Sequence, residues 1–139
     1  MSPEEAIRYT LISDAGIAAL ISDRVYAGEL PEQPFYPAAV YRRISTAPVH
    51  SSDGPSGLSQ IRLQIDCWSP RFLDARALAD RVIAVIDGMH GVAGAIKSDP
   101  GVEFSSVMLD ADRAEFDDEL NLHGCSLDFL LWANTPPSV

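Results

Sequence analysis

The chain has 139 residues, enough for one domain that buries roughly 70% of its unfolded surface. Hydrophobic residues make up 47% and charged residues 22%, a globular balance, and no apolar run approaches the ~20 residues of a membrane-spanning helix. The net charge of −10 argues against nonspecific binding to the outside of DNA, which depends on Lys and Arg displacing counterions.

The charge is unevenly spread: residues 1–70 carry five basic and eight acidic groups, residues 71–139 five and twelve. Such a field keeps a protein soluble, or repels nucleic acid that passes nearby. The start, Met1-Ser2-Pro3-Glu4-Glu5, has neither the basic region nor the apolar core of a secretory signal, so a cytoplasmic origin is the default expectation.

In chain order, Ser2 reads as a helix N-cap, with Pro3 at the first position and Glu5 completing a capping box. Ile7, Leu11 and Ala15 follow on one face, Gly16 breaks or bends the helix, and Ile17–Ile21 add a short turn. Val25-Tyr26-Ala27 is predicted to be a short strand. The prolines at 31, 34 and 37 make an extended connector, because proline cannot donate to a central ladder. Ala38–Ile44 returns to strand composition. Residues 45–59 (STAPVHSSDGPSGLS) predict a long mobile loop, and a loop of that length is usually functional or disordered.

Gln60 opens the clearest strand. Ile61, Leu63, Ile65 and Cys67 face one way; Arg62, Gln64, Asp66 and Trp68 face the other, wet or in contact with a partner. A helix follows, capped by Ser69, with Pro70 at its first position and Gly88 at its stop. Its core stripe is Ala75, Leu78, Ala79, Val82, Ile83 and Ile86. Gly88–Gly101 carries no clear pattern. Val102–Leu109 reads as a strand with Phe104 and Val107 out of alternation. Asp110–Glu119 is a turn between strands or a strand end, and Cys125–Trp132 is an apolar closing strand. Cys67 and Cys125 form no CxxC pair; if their strands are antiparallel neighbours they lie close, as buried reduced thiols.

The chemistry-bearing residues do not assemble into a recognisable site. Asp110-x-Asp112 resembles the start of an EF-hand loop, but Ala114 stands where a ligand is needed and Glu115 where the glycine belongs. His50, His90 and His123 have no paired spacing, and no G-x-S-x-G elbow is present. The glycines at 91 and 94 and at 54 and 57 lack a Walker lysine or a Rossmann pattern. No catalytic residue, metal or cofactor is predicted. Tyr26, Phe35, Tyr36 and Tyr41 cluster around the connector, either as an interface or as rings packing it onto the sheet.

Taken together, Ile21-Ser22-Asp23-Arg24-Val25-Tyr26, Leu30-Pro31, Pro37-Ala38-Ala39-Val40, Arg62-Leu63-Gln64-Ile65-Asp66-Cys67-Trp68, Ala75-Arg76-Ala77-Leu78-Ala79 and Leu127-Asp128-Phe129 with Trp132 resemble the tail-completion, or tail-terminator, proteins of long-tailed bacteriophages and gene transfer agents. The resemblance spans about Glu5–Ala133. It implies a single α+β domain, with a mainly antiparallel sheet of four to five strands and two helices packed on one face; beyond it, Thr135-Pro136-Pro137 predicts a disordered tail at about 135–139. It also implies a non-enzymatic virion protein, assembled in the host cytoplasm. Such a protein forms a homohexameric ring between the tail tube protein and the head-completion, or stopper, protein, with DNA passing through the lumen unbound and no membrane involved.

The family fixes no interface residues. Those expected from this chain are His50, Asp53 and Leu58 on the loop; Tyr26, Phe35 and Tyr36 at the connector; Arg62 and Trp68 on the wet strand face; and Asp112, Asp117 and Asp118 in the acidic stretch. The alternative is a small α+β hydrolase or ligand-binding domain with a spatially assembled His/Asp site.

Overall fold

A computed structural model describes residues 1–51 and 54–134, apart from the side chains at 50, 51 and 54–56. The described elements run α1 (Pro3–Ser13), α2 (Ala15–Ile21), β1 (Val25–Ala27), β2 (Ala38–Ser51), β3 (Gly54–Ser69), α3 (Phe72–Ile86), β4 (Gly91–Ala93), β5 (Val102–Asp117) and β6 (Leu122–Asn134). The strands form one sheet in the order β1-β2-β3-β6-β5-β4. All neighbours are antiparallel except β1 and β2, which are parallel. The α+β class is as expected, but with six strands and three helices among the described residues. The extra pieces are the short strand β4, in the unpatterned Gly88–Gly101 stretch, and α2, a helix in its own right.

The largest departure concerns residues 45–59. Most of the expected mobile loop is strand: β2 and β3 pair from Ala38 with Trp68 out to Ser51 with Gly54. The Ser, Gly and Pro content disguised a long two-stranded ribbon. Its prolines are tolerated for local reasons: Pro48 lies beside a register shift at Pro48/His50, where a missing N–H is least costly. A second shift in β2 falls at Arg43/Ser45. On the other flank β5 carries two, at Phe104/Ser106 and Leu109/Ala111. The first explains why Phe104 and Val107, both buried, break the two-residue alternation. The acidic stretch is accordingly strand to Asp117, followed by the β5–β6 turn. Asp53 and residues 135–139, the predicted disordered tail, lie outside the described residues.

All three helices contribute to the core against one sheet face. Ala6, Ile7 and Leu11 of α1, Ile17 and Ile21 of α2, and Ala75, Leu78, Ala79, Val82 and Ile86 of α3 are buried. They join Ile61, Leu63, Ile65 and Cys67 of β3 and Cys125, Leu127, Phe129 and Leu131 of β6 in one cluster. Each large side chain contributes about 1.5–3 kcal/mol by leaving water. The expected start of α3 moves by two residues. Arg71, not Ser69, occupies the N-cap without a side-chain cap, and the Ser69 hydroxyl instead accepts from the Arg71 N–H at 3.4 Å. Gly88, φ +83°, follows the C-cap Asp87, as a left-handed stop requires.

The α1–α2 break lies at Asp14 rather than Gly16. The Asp14 carboxylate caps α2 by accepting from the Ile17 N–H at 2.9 Å and receives Arg81 of α3 through two bonds of 2.9 and 2.8 Å. A Cβ at Gly16 would stand 2.6 Å from the Arg81 guanidinium, so a larger residue there would push the Arg81 head away from Asp14. Arg81, followed by the Ile17 N–H, holds the Asp14 carboxyl down at about 2. A depressed carboxylate stabilises the fold above its unfolded value, 3.8, and that stabilisation is lost as pH falls towards the folded value. Thermal midpoints measured across a pH series should therefore show the advantage of wild type over Asp14→Asn undiminished at pH 5 and shrinking between about pH 4 and pH 2.

Cys67 and Cys125 are direct register partners on β3 and β6, and both are buried and free. Burial pushes both thiols above the usual cysteine range. The native protein is expected to react with a thiol reagent only at the rate at which it opens or unfolds. Rapid stoichiometric labelling without denaturant would contradict this.

Candidate interface on the open sheet face

The strand alternation that buries one face leaves the other without a helix among the described residues, and its polar side chains form a continuous chain of bonds and ion pairs across four strands. Arg42 of β2 lies 3.8 Å from Asp66 of β3. The Gln64 amide donates to Asp66 and to Ser126 of β6, each at 2.9 Å. Arg113 of β5 donates to Ser126 at 3.2 Å and to Asp128 at 3.0 Å. Arg62 reaches Asp128 at 3.5 Å and Asp110 at 2.9 Å. Isolated exposed ion pairs contribute little, but here the central carboxylate, Asp128, is only 9% exposed and holds two guanidinium groups. Among the described residues no buried side-chain nitrogen or oxygen lacks a partner.

At the end of this face that holds Trp68, a groove of about 340 Å³ opens. Leu30, Val40, Trp68, Leu120 and Leu122 supply its apolar lining, and Glu29, Asp66, Glu115 and Asp117 its charge, against Arg42 alone. The Trp68 ring lies on the backbone at Gly124, where a Cβ would come within 2.7 Å of it, so the glycine provides the flat bed. Asp117 accepts from the Glu119 and Leu120 N–H groups at 3.0 and 3.1 Å, forming the turn that presents Leu120, 62% exposed. Burial and the Asp117 charge raise the Tyr36 phenol above its usual value.

The residues predicted for an interface are thus partly gathered and partly dispersed. Arg62 and Trp68 lie on the open face, and Tyr36 approaches Asp117. Tyr26 is half-buried in β1, and Phe35 is 78% exposed. Leu58 pairs with Asn134 at the far end of β3. Asp112 faces the helix side, held by Arg76 of α3 through two bonds of 2.9 Å, and Asp118 is exposed in the β5–β6 turn. The backbone of His50 is in β2, but its side chain, like Asp53, is outside the described residues.

Leu30, Glu115, Ser126 and Asp128 are not among the interface residues expected from the sequence. The last two were readable as polar residues at alternate positions of an otherwise apolar strand. Of the other histidines, His123 stacks with Phe116 at 4.8 Å and meets Phe72 edge-on at 6.0 Å. Neither His123 nor His90 bonds to a carboxylate among the described residues, and those residues contain no metal-binding group.

A sheet with one helix-covered face and one open, bonded face suits a structural protein that meets other chains. The family described as tail completion protein gp17 matches residues 5–132. The chain belongs to that family and is a structural protein of the virion, associated with other virion components. A chain in a solved structure described as the virion of a native gene transfer agent particle is similar in fold, with a TM-score of 0.77 and 18% identity over 95% of this chain and 94% of that one. No curated protein matches.

Proposed function

We propose that six copies of this chain close into a ring that caps the tail tube, ends its polymerisation and joins it to the head-completion ring, with DNA passing through. The observation that carries this reading is a pair of half-covered sheet edges. β1 pairs only with Ala39–Tyr41, so no described strand lies outside Arg42–Pro48 of β2. β4 pairs only with Val102–Phe104, so none lies outside Asp110–Asp117 of β5.

Counting across the antiparallel neighbours β2, β3, β6 and β5, the two open edges run in opposite directions. β5 of one copy can therefore lie antiparallel beside β2 of the next. The first edge carries Arg42 and Arg43; the second carries Asp110, Asp112, Glu115 and Asp117 with Arg113. Such a contact is heterologous, and heterologous contacts that close by rotation form rings. A closed ring that covers the tube end offers no further subunit a place to add. With the open face turned to the lumen, its excess of carboxylates keeps DNA from adhering.

Electron microscopy of particles made without this protein tests the reading. Tails of abnormal length, or tails and heads left unjoined, are expected; normal virions would overturn it. The lumen assignment fails separately if the open face maps to the outer wall of an assembled ring.

A further inference from the structure

We propose that the groove around Trp68 receives an extended segment of another virion protein, one that carries an arginine or lysine between apolar side chains. Two features of the groove select this occupant. Its floor is apolar and flat, with the Trp68 ring laid on Gly124 and flanked by Leu30, Val40 and Leu122. Its lining carries four carboxylates against one guanidinium; two of them, Glu29 and Glu115, are exposed and make no side-chain hydrogen bond or salt bridge among the described residues, with Arg113 acting on Glu115 only through its charge. A long cationic side chain fits both, because its methylene stem covers an aromatic face while its head meets the carboxylates.

Charge also disfavours a second copy of this chain as the occupant. The sequence has 20 acidic and 10 basic residues. Of the basic side chains, all but Arg71 and Lys97 are already bonded inside the fold. Neither of these two lies in an extended strand: Arg71 is the N-cap of α3, and Lys97 sits between the bridge partners Ile96 and Asp99. Ring closure as proposed pairs the edges of β2 and β5, whose Arg42, Glu115 and Asp117 also line the groove, so the test reads oligomeric state beside peptide binding.

The test uses the full chain with Trp132→Phe, which leaves Trp68 as its one indole. A blocked pentapeptide of alternating valine and arginine (acetyl-VRVRV-amide) is titrated while tryptophan emission is followed. The expected result is a saturable change that weakens at least about tenfold in Glu29→Lys/Glu115→Lys, in line with the loss of complementary charge. Both substituted side chains are exposed and unbonded, so circular dichroism should show an unchanged fold.

No response to the arginine peptide overturns the proposal. So does equal binding by the charge-reversed protein or by acetyl-VEVEV-amide. An equal response to spermidine overturns it in favour of a simple cation site. Light scattering on the same samples and electron microscopy of particles separate the two ideas: rings without peptide binding sink the groove alone, and peptide binding by a chain that never caps tails sinks the capping role alone.

Discussion

Phe129→Ala is expected to lower the unfolding free energy by about 3–5 kcal/mol, the range for removing a ring from a packed core. Phe129 is fully buried in the middle of β6, with Leu63 of β3 and Leu109 of β5 as register partners. The helices cover this face of the sheet, so the cavity is enclosed on all sides and collapses poorly. Since total stabilities of single domains are about 5–15 kcal/mol, this one change removes a large share. Urea unfolding should show the midpoint falling sharply. Phe35→Ala is the control: its ring is 78% exposed, and the change should stay within about 0.5 kcal/mol. Equal losses from the two variants would mean that the core is not where the sheet and helices place it.

Asp128→Ala is expected to cost about 1–3 kcal/mol. Its side chain, 12% exposed against 9% for the whole residue, is shared by Arg62 and Arg113, whose side chains are exposed by 34% and 49%. Removing one partner of a fully buried pair costs 3–5 kcal/mol or so. Here both guanidinium groups can rehydrate, which reduces the loss, and Arg62 retains Asp110 at 2.9 Å. Denaturant unfolding of Asp128→Ala and Asp110→Ala should rank them in that order, because Asp110, 42% exposed, already competes with water. A larger effect from Asp110→Ala would place the weight of the network at its rim instead of its centre.

What could be read from the sequence depended on whether a segment's signal was local. The strand Gln60–Trp68 and helix α3 were legible because apolar residues recur at the spacing of the element itself. The family resemblance drew on the same segments, and the opposed cysteines followed from antiparallel pairing. Residues 45–59 read as a loop because their small and turn-forming residues describe local propensity, whereas the ribbon is held by cross-strand pairing, from Ser51 with Gly54 at its tip to Ser45 with Arg62. The break between α1 and α2 was displaced because Gly16 serves Arg81, a contact made 65 positions along the chain. The groove was not legible at all: its lining comes from the connector, β2, β3, β5, the following turn and β6, and no spacing rule brings these together.

The register shifts have a consequence for how the protein keeps company. β3 and β6, at the centre of the sheet, pair with each other without interruption, while β5 carries two extra residues and β2 one, at Arg43/Ser45. An extra residue bends and twists the strand that carries it, so curvature is installed at the two flanks, beside the margins where another chain would join. An uncovered margin would ordinarily accept almost any extended polypeptide. Margins bent in this way accept only a neighbour bent to match, and selectivity is thereby written into the backbone before any side chain is consulted.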